Sequence, residues 1–500
     1  MNRAKICVSI CAKTAAELFE KISRAEPLAD VIELRFDCLN PDQVDPAIEN
    51  LPAVDKTYLI TYRPSEQGGL RVLPLNARLM FWKKVLPILA GRDLLIDLEA
   101  DINFPLRFDE TKVIRSAHFF HDPLVDLRPT FFELSDLGDG LIKIAAAASD
   151  MIDTLPVWKL TETAEREERN LIPIAMGEPG KWTRILGPAY GAWMTYAALD
   201  FNAATAPGQI TAADLIDVYR VKEISRATKV HGVIAGDTSY SISPWMHNAG
   251  FRAAGENRVF VPLQVTDLDA FIKRMVRAET REIDLNFAGF SVTNPHKQAI
   301  IRHLDEIDET AEKIGALNTV RIENGKLYGF NTDALGFISP LKQIFGDLKG
   351  AKAAVVGAGG AARACVYSLV EAGANVAVHA RDLQKVERLA ESFGVRSSQL
   401  PETFAGFDIV VNCTPLGTKG DTEDQTIATA DQLADVKLVY DLVYNPIETR
   451  LIHEAKSAGV KTLGGLEMLI AQGAEQFKIW TGREAPIEAM SAAVGKRLNF

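Results

Sequence analysis

The run LIKIAAA places Lys143 among aliphatic neighbours. Desolvation disfavours the charged form of an amine, and a neutral amine can attack a ketone. A structural lysine paired with a buried carboxylate is the competing reading. His118, in SAHFF at the end of the preceding apolar run, shifts the balance. Adjacent strands lie about 4.8 Å apart, so an amine and an imidazole on neighbouring strands can share one pocket. Together they can remove a proton alpha to a carbonyl through an imine. His121, followed by Asp-Pro, reads as a turn residue. Further on, GAGGAAR (Gly357, Gly359, Gly360, Ala361, Arg363) follows a short apolar run and opens a helical stretch. Amides at such a helix start suit a pyrophosphate, and the glycines allow close approach. After the next strand, Arg381 suits a 2′-phosphate, Lys385 reinforces it and Asp382 opposes it, which predicts NADP (NADPH) over NAD. Ser241, Ser243, Lys297, Asn318 and Asp333 form a third group; singly, each reads as a turn residue.

Elements must hold these groups in place. Eight short β-branched runs, at 5–10, 31–36, 57–63, 93–99, 112–119, 140–146, 170–176 and 192–198, alternate with amphipathic stretches such as Ala15–Ala25 and Glu162–Arg169. Eight strand–helix units within about 200–250 residues predict a (β/α)8 barrel, whose chemistry sits at the C-terminal strand ends. Those ends carry Glu33, Arg35, Arg63, Glu99, His118, Lys143, Met176 and Thr195. A helical stretch at Thr211–Arg226 leads into further alternation of strands and helices.

Composition bounds the partners. In 500 residues, 66 Asp+Glu against 55 Lys+Arg leave a charge of −11, which argues against a nucleic-acid-binding surface. No apolar run reaches the roughly 18–20 residues of a membrane span. The N-terminus has no signal- or transit-peptide layout, which predicts a cytoplasmic, bacterial-type chain. Cys7, Cys11, Cys38, Cys365 and Cys413 lack CxxC spacing and read as reduced thiols; no His/Asp/Glu cluster suggests a metal.

Residues 1 to about 220 resemble the type I 3-dehydroquinate dehydratases, on IELR, TYR, DLE, SAH, IKIA, TRILGPAYGAWMTYA and TAPGQ. The resemblance implies that Lys143 forms the imine and His118 moves the protons. It implies that Arg184 binds the substrate carboxylate, with Glu33, Arg35, Arg63, Thr205 and Gln209 around the ring. One departure concerns His118. The family's Glu before the Gly pair is here Gln67, so Glu66 substitutes for it or His118 is tuned differently. From about 230 onward the chain resembles the shikimate dehydrogenases, on SISPWMHN, SVTNPHK, GALNT, GFNTD, NCTPLG, DLVYNP and GGLEMLIAQG. This implies a catalytic pair Lys297 and Asp333, a carboxylate site at Ser241 and Ser243, and hydroxyl contacts from Thr293, Asn318, Tyr444 and Gln472. The cofactor would meet Gly357, Gly359, Gly360, Ala361, Arg381, Lys385, Asn412, Thr414 and Gly465.

The expected architecture is α/β: an N-terminal (β/α)8 barrel at 1–222, then a two-subdomain dehydrogenase. Its substrate-binding part spans 228–336, completed by C-terminal helices at 470–500, and its Rossmann-type NADP domain spans 337–469. The expected activity is conversion of 3-dehydroquinate to 3-dehydroshikimate, then reduction to shikimate. An NAD-dependent catabolic quinate/shikimate dehydrogenase and a non-catalytic quinate-pathway sensor are the alternatives. Partners are these small molecules, with no nucleic acid and no membrane.

Overall fold

The computed structural model describes residues 2–102, 108–121, 123 and 126–498. The last two residues of the expected 470–500 segment lie outside them. Two compact units result: Met1–Val230 with Asp237–Tyr240 and Asn257–Phe287, and His231–Gly236 with Ser241–Glu256 and Ala288–Phe500.

The first unit is built on eight strands: β1 Lys5–Ile10, β2 Val31–Arg35, β3 Thr57–Thr61, β4 Leu94–Glu99, β5 Val113–Phe119, β6 Leu141–Ala147, β7 Leu171–Met176 and β8 Met194–Ala198. They run parallel in the order β7–β6–β5–β4–β3–β2–β1–β8. The Trp193 N–H donates to the Leu171 carbonyl at 2.8 Å across the remaining seam, between β7 and β8. This is the barrel expected from the eight runs. Its interior is filled by Cys7, Val31, Leu59, Leu95, Ile114, Leu141 and Ile172. Fully burying a large aliphatic side chain of this kind contributes about 1.5–3 kcal/mol.

The helix Ala15–Ala25 begins where expected, because the Thr14 side chain accepts the Glu17 N–H at 3.2 Å while Leu18 and Ile22 face inward. Three expectations need correction. The stretch Glu162–Arg169 is the tail of a longer helix, Leu155–Arg166, with proline near its start. The helix expected over Thr211–Arg226 is broken. Ile210–Thr211 extends the sheet beside β8, and only a five-residue helical turn follows at Asp214–Val218. Arg220 then takes φ 49°, a left-handed conformation that a continuing helix does not permit. The third correction concerns the thiols. Cys11 and Cys38 are paired as a disulfide with Cα atoms 5.4 Å apart, while Cys7 and Cys365 are buried free thiols. Parallel pairing of β1 with β2 brings these two cysteines together, although 27 residues separate them in sequence.

The second unit holds a wholly parallel sheet. Its strands lie in the order Arg396–Ser398, Asn375–His379, Lys352–Val356, Ile409–Asn412, Leu438–Asp441, Lys461–Leu463. In chain order that is 3-2-1-4-5-6, the Rossmann arrangement, with its switch point between strands one and four. Both faces are covered, by Phe337, Leu341, Cys365, Val366 and Leu369 on one side and Phe404, Ile427, Leu451 and Ala455 on the other. Continuous apolar strands such as AAVV and IVV match that double burial. Elsewhere Phe287–Val292, Thr319–Glu323 and Lys326–Phe330 pair antiparallel in sequence. The C-terminal helix Ile487–Leu498 packs Met490 and Val494 against Ile242 and Met246 of the segment opening the helix Ser243–Ala253.

Candidate active sites

Within the barrel, one cavity of about 140 Å³ is lined by Glu33, Arg35, Arg63, His118, Lys143, Arg184, Thr205 and Gln209, while Glu99 and Thr195, the other polar strand-end residues, do not line it. Lys143 pairs in register with Ser116 on β5, and His118 follows two residues on, so the period of two turns both side chains to one face. The Lys143 residue is 3% exposed. Its Nζ donates to Asp97 Oδ2 at 2.9 Å and lies 3.9 Å from Glu33 Oε1 and 4.3 Å from the centre of the Tyr196 ring. Both readings of the sequence therefore meet: the lysine has a buried carboxylate partner and opens on a cavity.

The charges explain one another. Burial, reinforced by the Arg63 charge, lowers the Lys143 pKa below the ordinary lysine value. Burial would raise Asp97, yet Arg63, Lys143 and His118 hold its carboxyl far below the usual range. The Arg63 guanidinium lies 2.5 Å from Asp97, and the Ser116 hydroxyl donates to Asp97 at 2.5 Å. Glu33 accepts from the hydroxyls of Ser9 and Thr61. Arg35 forms a bidentate pair with Asp37 at 2.9 and 2.7 Å and donates to the Gly68 carbonyl, fastening the 65–69 turn to β2. Burial pushes Glu99, at the end of β4, up to about 7, and Arg78 holds it at 3.1 Å.

His118 is fixed from both sides. The Gln67 Oε1 accepts the His118 backbone N–H at 3.0 Å, so Nδ1, 3.4 Å from the same oxygen, carries the ring proton. On the other side Arg63 donates to Nε2 at 2.6 Å, which leaves that nitrogen as the basic one. Burial, then the Arg63 and Lys143 cations, hold the imidazole well below the ordinary histidine value. Gln67, rather than Glu66, thus occupies the orienting position; Glu66 is exposed and accepts from Ser65.

Arg184 is buried, and it donates only to the carbonyls of Gly208 and Pro207, at 3.1 and 3.2 Å. No carboxylate among the described residues pairs with it, and burial pushes its guanidinium down to about 10. A desolvated cation facing a cavity is a ready partner for an anionic group. Thr205 and Gln209 bond to each other, the Thr205 N–H donating to Gln209 Oε1 at 2.7 Å. Sequence reasoning passes over Asp97 and Tyr196 as site residues. A carboxylate inside the apolar run LLIDLE is the signal that finds the first; nothing in MTYAA marks the second.

In the second unit, Lys297 and Asp333 form an ion pair. Asp333 opens the helix Asp333–Phe345, and its Oδ1 accepts Asn318 Nδ2 at 2.8 Å. The same Nδ2 reaches Gln472 Oε1 at 3.2 Å. Thr293 follows the strand Phe287–Val292, and its N–H donates to the Ile234 carbonyl. Ser241 and Ser243 sit at the start of the helix Ser243–Ala253, where the Ser243 N–H donates to Ser241 Oγ at 3.4 Å. Tyr444 packs on the apolar cluster that contains Ile242.

The glycine turn lies at the switch point of the parallel sheet. Gly357 has φ +126°, and a Cβ there would lie 3.1 Å from the Cys413 backbone on strand four's exit. Gly359 caps the helix Gly360–Glu371, and a Cβ on it would meet nothing, so its approach is open. A Cβ on Gly360 would lie 2.9 Å from Lys297 Cδ, which puts the lysine stem against the turn. Gly465 opens the helix Gly465–Thr481 hard against the Leu442 carbonyl. Arg381 and Lys385 are exposed beyond the second strand. Asp382 is engaged in capping the helix Leu383–Phe393, accepting the Lys385 N–H at 3.2 Å. Asn412 closes the same turn from strand four. It is fully enclosed, donating to Asp441 at 2.9 Å and accepting from the N–H and hydroxyl of Thr414, so it shapes the turn. Open amides, close-approach glycines and exposed cations at a switch point fit a dinucleotide with an added phosphate.

Comparison with known proteins identifies the families of both halves. Residues 6–226 match the type I 3-dehydroquinase family, 233–320 the shikimate dehydrogenase substrate binding domain, 340–451 shikimate/quinate 5-dehydrogenase and 465–494 the shikimate 5′-dehydrogenase C-terminal domain. A chloroplastic bifunctional 3-dehydroquinate dehydratase/shikimate dehydrogenase of Arabidopsis thaliana is 34% identical over 97% of this chain and 83% of its own. An NADP(+) shikimate dehydrogenase of Methanocaldococcus jannaschii is 41% identical over 54% of this chain and 98% of its own. A crystal structure of a shikimate dehydrogenase in complex with NADP+ superposes with TM-score 0.51 at 39% identity, covering 55% of this chain and 97% of that one. With an amine and imidazole in one barrel cavity, a lysine–aspartate pair beside a glycine turn, and a relative matching nearly end to end, the chain belongs to the bifunctional 3-dehydroquinate dehydratase/shikimate dehydrogenases, lyase and NADP-dependent oxidoreductase in one polypeptide.

Proposed function

We propose that the two reactions are divided among residues as follows. Lys143 condenses with the ring ketone of 3-dehydroquinate, losing water to form an imine. Its lowered pKa supplies the free amine, and Asp97 at 2.9 Å takes up the charge of the iminium. Once substrate displaces Arg63 from Nε2, His118 accepts the proton alpha to the iminium carbon. The resulting enamine expels the beta hydroxyl, which leaves as water with that proton. Hydrolysis of the imine then releases 3-dehydroshikimate and frees Lys143. Arg184 binds the substrate carboxylate, and Glu33, Arg35, Arg63, Thr205 and Gln209 surround the ring.

In the second unit, bound NADPH supplies a hydride to the ketone. Lys297 donates the proton to the developing alkoxide, and Asp333 holds the lysine in place. Ser241 and Ser243 bind the carboxylate; Thr293, Asn318, Tyr444 and Gln472 bind hydroxyls. Gly357, Gly359, Gly360, Ala361, Thr414 and Gly465 border the nucleotide, shaped by Asn412, while Arg381 and Lys385 hold the 2′-phosphate. The working segments are 1–222, 228–336 with 470–500, and 337–469, in a cytoplasmic enzyme. Among the described residues, no helix is long and apolar enough to cross a membrane.

The observation that carries this reading is Lys143, a buried amine sharing one cavity with a histidine whose basic nitrogen is defined. Borohydride reduction in the presence of 3-dehydroquinate, followed by peptide mass spectrometry, should place the adduct on Lys143; an adduct elsewhere, or none, rejects the assignment. Shikimate and quinate, each assayed with NADP and with NAD, separate the biosynthetic role from a catabolic one. Preference for quinate with NAD would select the latter.

A further inference from the structure

Gln476 lies one helical turn beyond Gln472 on Gly465–Thr481, buried and off the substrate side chains named above. All four of its hydrogen-bonding positions are used. Its Oε1 accepts from Ser291 Oγ at 2.9 Å and contacts His247 Nε2 at 3.1 Å; its Nε2 donates to the Asn318 carbonyl and to Thr319 Oγ1, both at 3.1 Å. The Thr319 hydroxyl donates in turn to Asn318 Oδ1 at 3.0 Å, which also accepts the Thr332 N–H at 2.8 Å. With Oδ1 committed as acceptor, the Asn318 carboxamide can present only Nδ2 to Asp333 and Gln472. Buried networks of this kind, fully satisfied, specify one arrangement, and a half-satisfied one is costly.

We infer that Gln476 is a positioning residue of the dehydrogenase. It fixes the backbone and carboxamide of Asn318, and through Asn318 it sets where Asp333, and hence Lys297, stands during reduction. The inference rests on the roles given above to Asn318 and Asp333. The polar chain Gln476–Thr319–Asn318–Asp333 provides a continuous path by which a side chain outside the proposed substrate contacts controls proton delivery.

A double-mutant cycle tests it, read as kcat and KM for shikimate oxidation in the full chain, with NADPH binding measured by fluorescence and dehydratase turnover as an internal reference. Gln476→Met should lower kcat about tenfold or more, with the NADPH dissociation constant changed less than about twofold. In an Asn318→Ala background the same substitution should cost less than about twofold, because the element it acts through is gone. Equal losses in both backgrounds overturn the inference. If Asn318→Ala alone changes nothing, the underlying site assignment fails instead. Should Gln476→Met lose NADPH binding, Thr319→Val, which removes one hydroxyl from the chain, replaces it in the cycle. Thr319→Val should lower kcat about threefold or more and lose that effect in the Asn318→Ala background; no loss, or additive losses, count against the inference.

Discussion

A single oxygen, Oε1 of Gln67, faces both the backbone N–H and Nδ1 of His118, at 3.0 and 3.4 Å. The arrangement orients the imidazole without adding a negative charge to it. Burial and the Arg63 and Lys143 cations hold the ring's pKa below the ordinary histidine value of roughly 6.5. A base lowered in this way stays neutral, and so active, below that pH. The acid limb of dehydratase kcat/KM should therefore lie under about pH 6.5. Gln67→Glu places a carboxylate against the ring, favours the imidazolium and should move the limb to higher pH. A limb that stays put, or moves down, would show that Gln67 does not tune this base.

Arg184 is a buried cation with no carboxylate partner among the described residues, so activity and stability should part company there. Arg184→Met keeps the length and removes the desolvated charge. The barrel's thermal transition should hold or rise. Dehydratase kcat/KM should fall roughly a hundredfold to a thousandfold, about 3–4 kcal/mol, as the substrate carboxylate loses its fork. A parallel loss of both properties would make Arg184 a structural residue.

Asp97 stands between two buried cations. Asp97→Asn removes the nearest countercharge of both, leaving Glu99 at 3.5 Å from Arg63 and Glu33 at 3.9 Å from Lys143, and should destabilise the barrel by up to about 3–5 kcal/mol, measured by denaturant unfolding. Because the folded pKa of Asp97 is depressed, its contribution is present above the unfolded value of roughly 3.9 and is lost as pH falls through the folded one. The gap between wild type and variant should thus narrow in acid. A gap constant across pH would mean that the ion pairs are not its source.

Arg381 and Asp382 make opposite demands on the sequence reader, and the helix cap resolves them. Arg381→Ala should raise the KM for NADP at least tenfold and leave that for NAD nearly unchanged. Asp382→Ala should cost about 1 kcal/mol of stability as a lost cap, while preference for NADP persists. If Asp382→Ala instead widens the preference for NADP, the carboxylate is working on the nucleotide.

The architecture was legible because both repeating signals are local: short β-branched runs ending in polar residues, and a glycine turn between strand and helix. Lys143 and His118 stand out in the sequence because a titratable group inside an apolar run has few explanations. Tyr196 was not, since a tyrosine in a strand is ordinary until a neighbour's ammonium stands over its ring. Cys11 and Cys38 escaped for a related reason: spacing along the chain carries no record of which strand ends become adjacent. Asn412 and Gln476 look equally functional as letters, and only their partners reveal that one shapes a turn and the other braces an asparagine.

Gly360 leaves one last consequence. The methylenes of Lys297 rest where a β-carbon on that residue would stand. The proposed proton donor and the proposed nucleotide turn therefore touch, and a methyl group there would have to push the lysine stem aside. A bulkier residue at that point would displace the lysine as well as crowd the turn, whereas the exposed rim around Arg381 can change without touching Lys297.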